Sequence, residues 1–158
     1  MSSTAIAAWQ VKGGYCMKGF YWETDESVHM ETILYYIVSN FSEENTLWSL
    51  TGLDRLEQYY AKLNDRIFNR EQMMENIHMI GETVSITLKA YHQNEYSASL
   101  PFEKNDYPQK NQFLQSPCLV AYYCYDCYYH EIYIKEDTKC NSLAWFLESL
   151  PLLTLKTI

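Results

Sequence analysis

Two runs near the end of the chain constrain its fold more than any other feature. Cys118 to Tyr125 and Tyr128 to Lys135 are dense in aromatic and β-branched residues and read as two strands folded back at Asp126. The helical and strand patterns elsewhere are mixed without strict alternation, which argues against a doubly wound parallel fold. They predict an α+β chain: a mixed or antiparallel sheet with this C-terminal hairpin, and helices packed on it.

Periodicity supplies the other elements. Phe20 to Trp22 suits a short strand. Met30, Ile33, Leu34, Ile37 and Phe41 share one face of a helix over Ser27 to Asn40, with Thr24, Asp25 and Ser27 as competing N-caps. Thr46 to Leu50 reads as a strand. A helix entered at Thr51, with Leu53, Leu56, Tyr60 and Leu63 on one side, breaks at Asn64-Asp65. Asn69 with Gln72 starts the next helix and Gly81 stops it, enclosing Met73, Met74, Ile77 and Ile80. Val84 to Tyr91 alternates Val84, Ile86, Leu88 and Ala90 against polar neighbours, as a strand does. Residues 93–112 are polar and hold Pro101 and Pro108, so a mobile loop is expected, with a short helix over 109–115. A last helix starts at Asn141 or Ser142 and runs to Leu150, and Leu152 to Ile158 closes as a strand. No repeat or linker divides the chain. Residues 17–158 are expected to form a single domain, and residues 1–16 an N-terminal extension that is disordered or an expression remnant. A chain of 158 residues can bury a core without metals or disulfides to staple it.

The charge is unevenly placed. The formal net charge is -8, and no Lys or Arg occurs from Gly19 to Asp54. Glu23, Asp25, Glu26, Glu31, Glu43, Glu44 and Asp54 all fall in that stretch. A field of this sign repels phosphate backbones, which argues against direct nucleic-acid binding, and attracts a basic protein surface. The plain alternative is a solvated surface that keeps the protein soluble. The glycines are five, and none after Gly14 sit close enough to cradle a phosphate, so no nucleotide cofactor is expected. The apolar runs, such as Ile33 to Val38, are too short to cross a membrane. The start of the chain lacks the pattern of a signal peptide.

Five cysteines, Cys16, Cys118, Cys124, Cys127 and Cys140, make an odd count. That argues for free thiols in a reducing cytoplasm rather than a disulfide framework. Cys124 and Cys127 have the spacing of a zinc or redox pair, with His130 close by. Zinc knuckles carry glycine in the turn and usually a second cysteine pair, and both are missing here. Two small residues on a hairpin is the simpler reading. The four histidines lie in no pattern that marks a nucleophile, and no catalytic residue is assigned, which disfavours an enzyme.

Tyrosines are the most unusual feature, fifteen of them beside four tryptophans. Tyr122, Tyr123, Tyr125, Tyr128, Tyr129 and Tyr133 crowd the hairpin and are expected largely in the core. Tyr35 and Tyr36 lie off the apolar stripe of their helix, beside Glu31, and are candidate interface anchors. The composition is similar to that of small acidic inhibitors, such as toxin-immunity proteins and phage proteins that block a host enzyme; the likeness is of composition, not of residues. The expected function is a protein-binding inhibitor or adaptor docking on a basic surface through Glu23, Asp25, Glu26, Glu31, Tyr35, Tyr36, Glu43 and Glu44. Two rivals are a small-molecule or enzymatic domain with a pocket lined by Tyr and Cys, and a zinc-stabilised domain held by Cys124, Cys127 and His130.

Overall fold

The hairpin lies at the centre of the fold. In the computed structural model, which describes residues 18–53, 66–81, 83–106 and 109–158, it forms β5 (Val120–Tyr125) and β6 (Tyr129–Ile134). Asp126 and Cys127 make the turn with φ of 49° and 65°. Two consecutive left-handed residues match the right-handed twist of a tight hairpin, although glycine usually fills the second position. The turn is anchored from outside by the Cys127 amide, which donates to the Val84 carbonyl at 2.9 Å.

Five further strands join it: β1 (Lys18–Glu23), β2 (Thr46–Thr51), β3 (Arg66–Phe68), β4 (Ile86–His92) and β7 (Thr154–Thr157). The sheet is open, antiparallel throughout and ordered β3-β2-β4-β5-β6-β1-β7. Helices α1 (Met30–Phe41), α2 (Arg70–Ile80) and α4 (Asp137–Ser149) contribute to the main core on one face. The expected stripe of α1 is buried in full, each side chain contributing roughly 1.5–3 kcal/mol. Asn69 and Gln72 close a reciprocal capping box on α2. Gly81 ends that helix with ordinary right-handed φ. A side chain there would stand 3.0 Å from the Glu31 Cβ, so it is the close approach of α1 that favours glycine. No helix of the described residues is long and apolar enough to cross a membrane.

Three expectations need correction. Helix α1 starts at Met30, with His29 as a cap that makes no side-chain bond; Asp25 instead accepts from the Ser27 amide in a turn of its own. Helix α4 begins at Asp137, a turn before Asn141. The polar segment after β4 is no loose loop. It folds through short 3-10 turns at Gln93–Glu95 and Pro101–Lys104, then α3 (Lys110–Gln115), and covers the second face of the sheet. Phe102 and Phe113 pack there with Tyr91, Ala121, Tyr123 and Tyr133. Consequently β4 is buried on both faces rather than alternating. Its polar residues bond to the cover: Lys89 donates to the carbonyls of Phe102 at 2.6 Å and Asn105 at 2.7 Å. Tyr91 donates to Glu103 at 2.7 Å, and Ser49 bonds the same carboxylate. Thr51 donates to the Asp106 carboxylate at 2.9 Å. A polar segment can serve as a cover because these buried polar groups of β2 and β4 find partners on it. The helix expected through Leu56, Tyr60 and Leu63 to Asn64-Asp65 lies outside the described residues, as does the extension 1–16; Leu53 itself is buried. The short strand β3 gave no clear pattern in the sequence.

Candidate functional site

The acidic residues do not share one face. Glu23 ends β1 and Asp25 and Glu26 follow it, at the hairpin-turn end of the sheet. Glu43 and Glu44 precede β2 at the opposite end, and α1 separates the groups by about 18 Å, the length of twelve helical residues. Glu31 is half-buried on α1 and lies against Gly81. Tyr35 is exposed. Tyr36 is not a free anchor, because its ring stacks on Phe146 of α4 at 3.9 Å between centroids.

At the turn end the backbone gathers a more specific arrangement. The Thr24 amide donates to the Tyr128 carbonyl at 2.9 Å, and the Leu153 amide to the Glu23 carbonyl at 2.9 Å. These two bonds draw three chain segments together around a cleft of about 420 Å³. It is lined by Glu23, Thr24, Asp25, Glu26, Tyr128, Tyr129 and Leu153. Its apolar members are unusually open: Tyr128 is 42% exposed, Tyr129 43% and Leu153 63%. The Ser27 hydroxyl and amide hold the Asp25 carboxyl below its ordinary pKa, so it is firmly charged. No cation lines this cleft among the described residues.

The cleft continues onto the part of the second sheet face next to β7. Register places Glu23 opposite Tyr129, and Tyr21 opposite Glu131 and Lys156. Tyr21 donates to Glu23 at 2.5 Å, and Tyr133 to Glu131 at 2.9 Å. Desolvation, then the bond to Glu23, pushes the Tyr21 hydroxyl up to about 12, so it remains a donor at neutral pH. Desolvation also raises the Glu131 carboxyl, an effect that Tyr133 partly offsets. This surface alternates carboxylates and phenols, and the chain's own Lys156 ammonium lies 5.9 Å over the Tyr21 ring. Tyr21, Tyr128, Tyr129, Glu131 and Leu153 were not picked out as binding residues. The period of two along β6 carried the signal: Tyr129, Glu131 and Tyr133 oppose the buried His130, Ile132 and Ile134.

The metal candidates do not assemble. Among the described residues no three His, Cys, Asp or Glu side chains group as a metal would need. His130 has both ring nitrogens engaged, one 3.0 Å from the Thr24 hydroxyl and the other 2.7 Å from the Tyr122 hydroxyl. Its ring stacks on Trp22 at 5.1 Å, and burial drives its pKa down to about 3. Burial likewise raises the Cys124 thiol to about 12, leaving it protonated and a poor ligand or nucleophile. Cys118, Cys124 and Cys127 are free. Cys140 is disulfide-bonded, so the expectation of an all-thiol chain fails there. Of the hairpin tyrosines, Tyr128 and Tyr129 line the acidic cleft, with no cysteine beside them among the described residues. A hollow of about 510 Å³ beside the cover is bounded by groups such as Leu100, Phe102, Gln112 and Pro117, with no Tyr or Cys among the described residues. Compared with known families, curated proteins and solved structures, the chain matches no family model, no curated protein and no solved structure.

Proposed function

We propose that this chain is a small acidic inhibitor or adaptor that docks on a basic surface of a protein partner. Its contact is the cleft of Glu23, Asp25 and Glu26 with Tyr128, Tyr129 and Leu153. One observation carries the reading: three carboxylates and three exposed apolar side chains converge there with no lining cation among the described residues. The carboxylates would attract the partner and set the association rate, and the aromatic rings would slow its release. The net charge of -8 disfavours a nucleic-acid ligand.

The test begins with capture of partners from the native host and their identification by mass spectrometry. The combined change Glu23→Gln, Asp25→Asn and Glu26→Gln should then slow association roughly tenfold at low salt, and added salt should mimic it. Tyr129→Ala should speed dissociation. Glu43→Gln with Glu44→Gln, at the far end, serves as the control of equal charge chemistry. Binding that ignores both the cleft changes and salt would end the acidic-docking reading.

A further inference from the structure

Strand β7 ends the sheet, and no strand among the described residues pairs with its outer edge. Gly19 and Ile158 exchange both backbone hydrogen bonds, at 3.1 Å and 2.9 Å. Bonded and non-bonded pairs alternate along an antiparallel ladder. The register with β1 therefore turns the N–H and C=O groups of Thr154 and Lys156 inward, and those of Leu155 and Thr157 outward. Exposed apolar side chains, Leu153 and Ile158, stand at the two ends of this edge. Leu153 also lines the acidic cleft, so edge and cleft form one continuous surface.

We propose that the open edge of β7 accepts an extended segment of the basic partner as an added strand, with a Lys or Arg of that segment seated in the cleft. This deepens the acidic-docking reading and rests on it. Main-chain bonds to Leu155 and Thr157 would supply affinity, and the carboxylates of Glu23, Asp25 and Glu26 would select the side chain. Charge decides against a second copy as the occupant. Two chains each carrying -8 repel, whereas a basic segment is attracted. Lys156, in the middle of β7, adds to this, because a cation on an edge strand discourages self-pairing. Its ammonium lies over the Tyr21 ring at 5.9 Å, on a face of the sheet, and does not block the edge.

Hydrogen exchange on the full-length protein, read by NMR, tests the edge directly. The Leu155 and Thr157 amides should exchange fast in the free protein, and the Lys156 amide slowly. A short peptide of alternating lysine and valine is then added as the probe, with a glutamate–valine peptide as its control. The basic peptide should protect Leu155 and Thr157, and the acidic one should not. Thr157→Pro removes an outward donor without removing a bond to β1, so it should fold normally and weaken the basic peptide roughly tenfold, the worth of one hydrogen bond. Protection of both amides in the free protein would overturn the proposal, whether from this chain or from concentration-dependent pairing of copies. So would salt-sensitive peptide binding that the cleft changes abolish but Thr157→Pro leaves intact; acidic docking would then survive without strand addition. Edge protection that ignores salt and the cleft changes would instead sink the acidic-docking reading beneath it.

Discussion

Lowering the pH from 6.5 charges His130 in the unfolded chain while the folded ring stays neutral. In the fold the imidazole is 1% exposed, stacked on Trp22, and bonded to the Thr24 and Tyr122 hydroxyls. No carboxylate is among these neighbours, and desolvation lowers its pKa from 6.5 to about 3. A depressed folded value means that protons bind the unfolded state first. The stability tied to a neutral ring is complete above pH 6.5 and is lost as pH falls toward 3. The slope is about 1 kcal/mol or somewhat more per pH unit, so at about pH 4.5 the loss is roughly 2–3 kcal/mol. Urea unfolding of the wild type and of His130→Asn at both pH values isolates this term. The other histidines and all carboxylates, Glu131 included, are common to both proteins. The wild type should lose roughly 2–3 kcal/mol more than the variant between about pH 6.5 and about pH 4.5. If the variant is too unstable to measure, the ring-carbon shifts of wild-type His130 should still report neutral imidazole at about pH 4.5. Equal pH slopes in the two proteins, or an imidazolium signal at that pH, would refute the burial argument.

Two further perturbations probe the packing around the site. Gly19→Ala would place a methyl group 2.6 Å from the Tyr133 ring and 2.7 Å from the Ile132 carbonyl, and should cost about 1–3 kcal/mol by chemical denaturation; a neutral result would mean that β1 and β6 sit further apart. Lys89→Met keeps the bulk of the side chain but removes the ammonium's bonds to the carbonyls of Phe102 and Asn105. It should cost about 1–3 kcal/mol and make residues 93–106 more open to limited proteolysis. Unchanged proteolysis would show that the cover does not depend on this lysine.

Local pattern was enough for much of the fold. The stripe of α1, the Asn69–Gln72 cap and the Asp126 hairpin were legible in the sequence, because each depends on residues a few positions apart. That hairpin pointed to a mixed or antiparallel sheet, and the strand pairing made it antiparallel throughout. What lies over each face did not. Lys89 reads as a solvent-facing residue between Leu88 and Ala90, and becomes fully buried only because Phe102 and Asn105 bring carbonyls to its ammonium. The polar run after β4 looks loose for the same reason, since its partners lie on strands remote in sequence. Periodicity also could not say that α1 carries Glu43 and Glu44 away from Glu23, Asp25 and Glu26. Nor could it say that Thr24 and Leu153 would bond to opposite sides of one cleft. Charge and aromatic content are properties of the chain, but which charges stand beside which rings is set by strand order and register, and those are decided by long-range pairing.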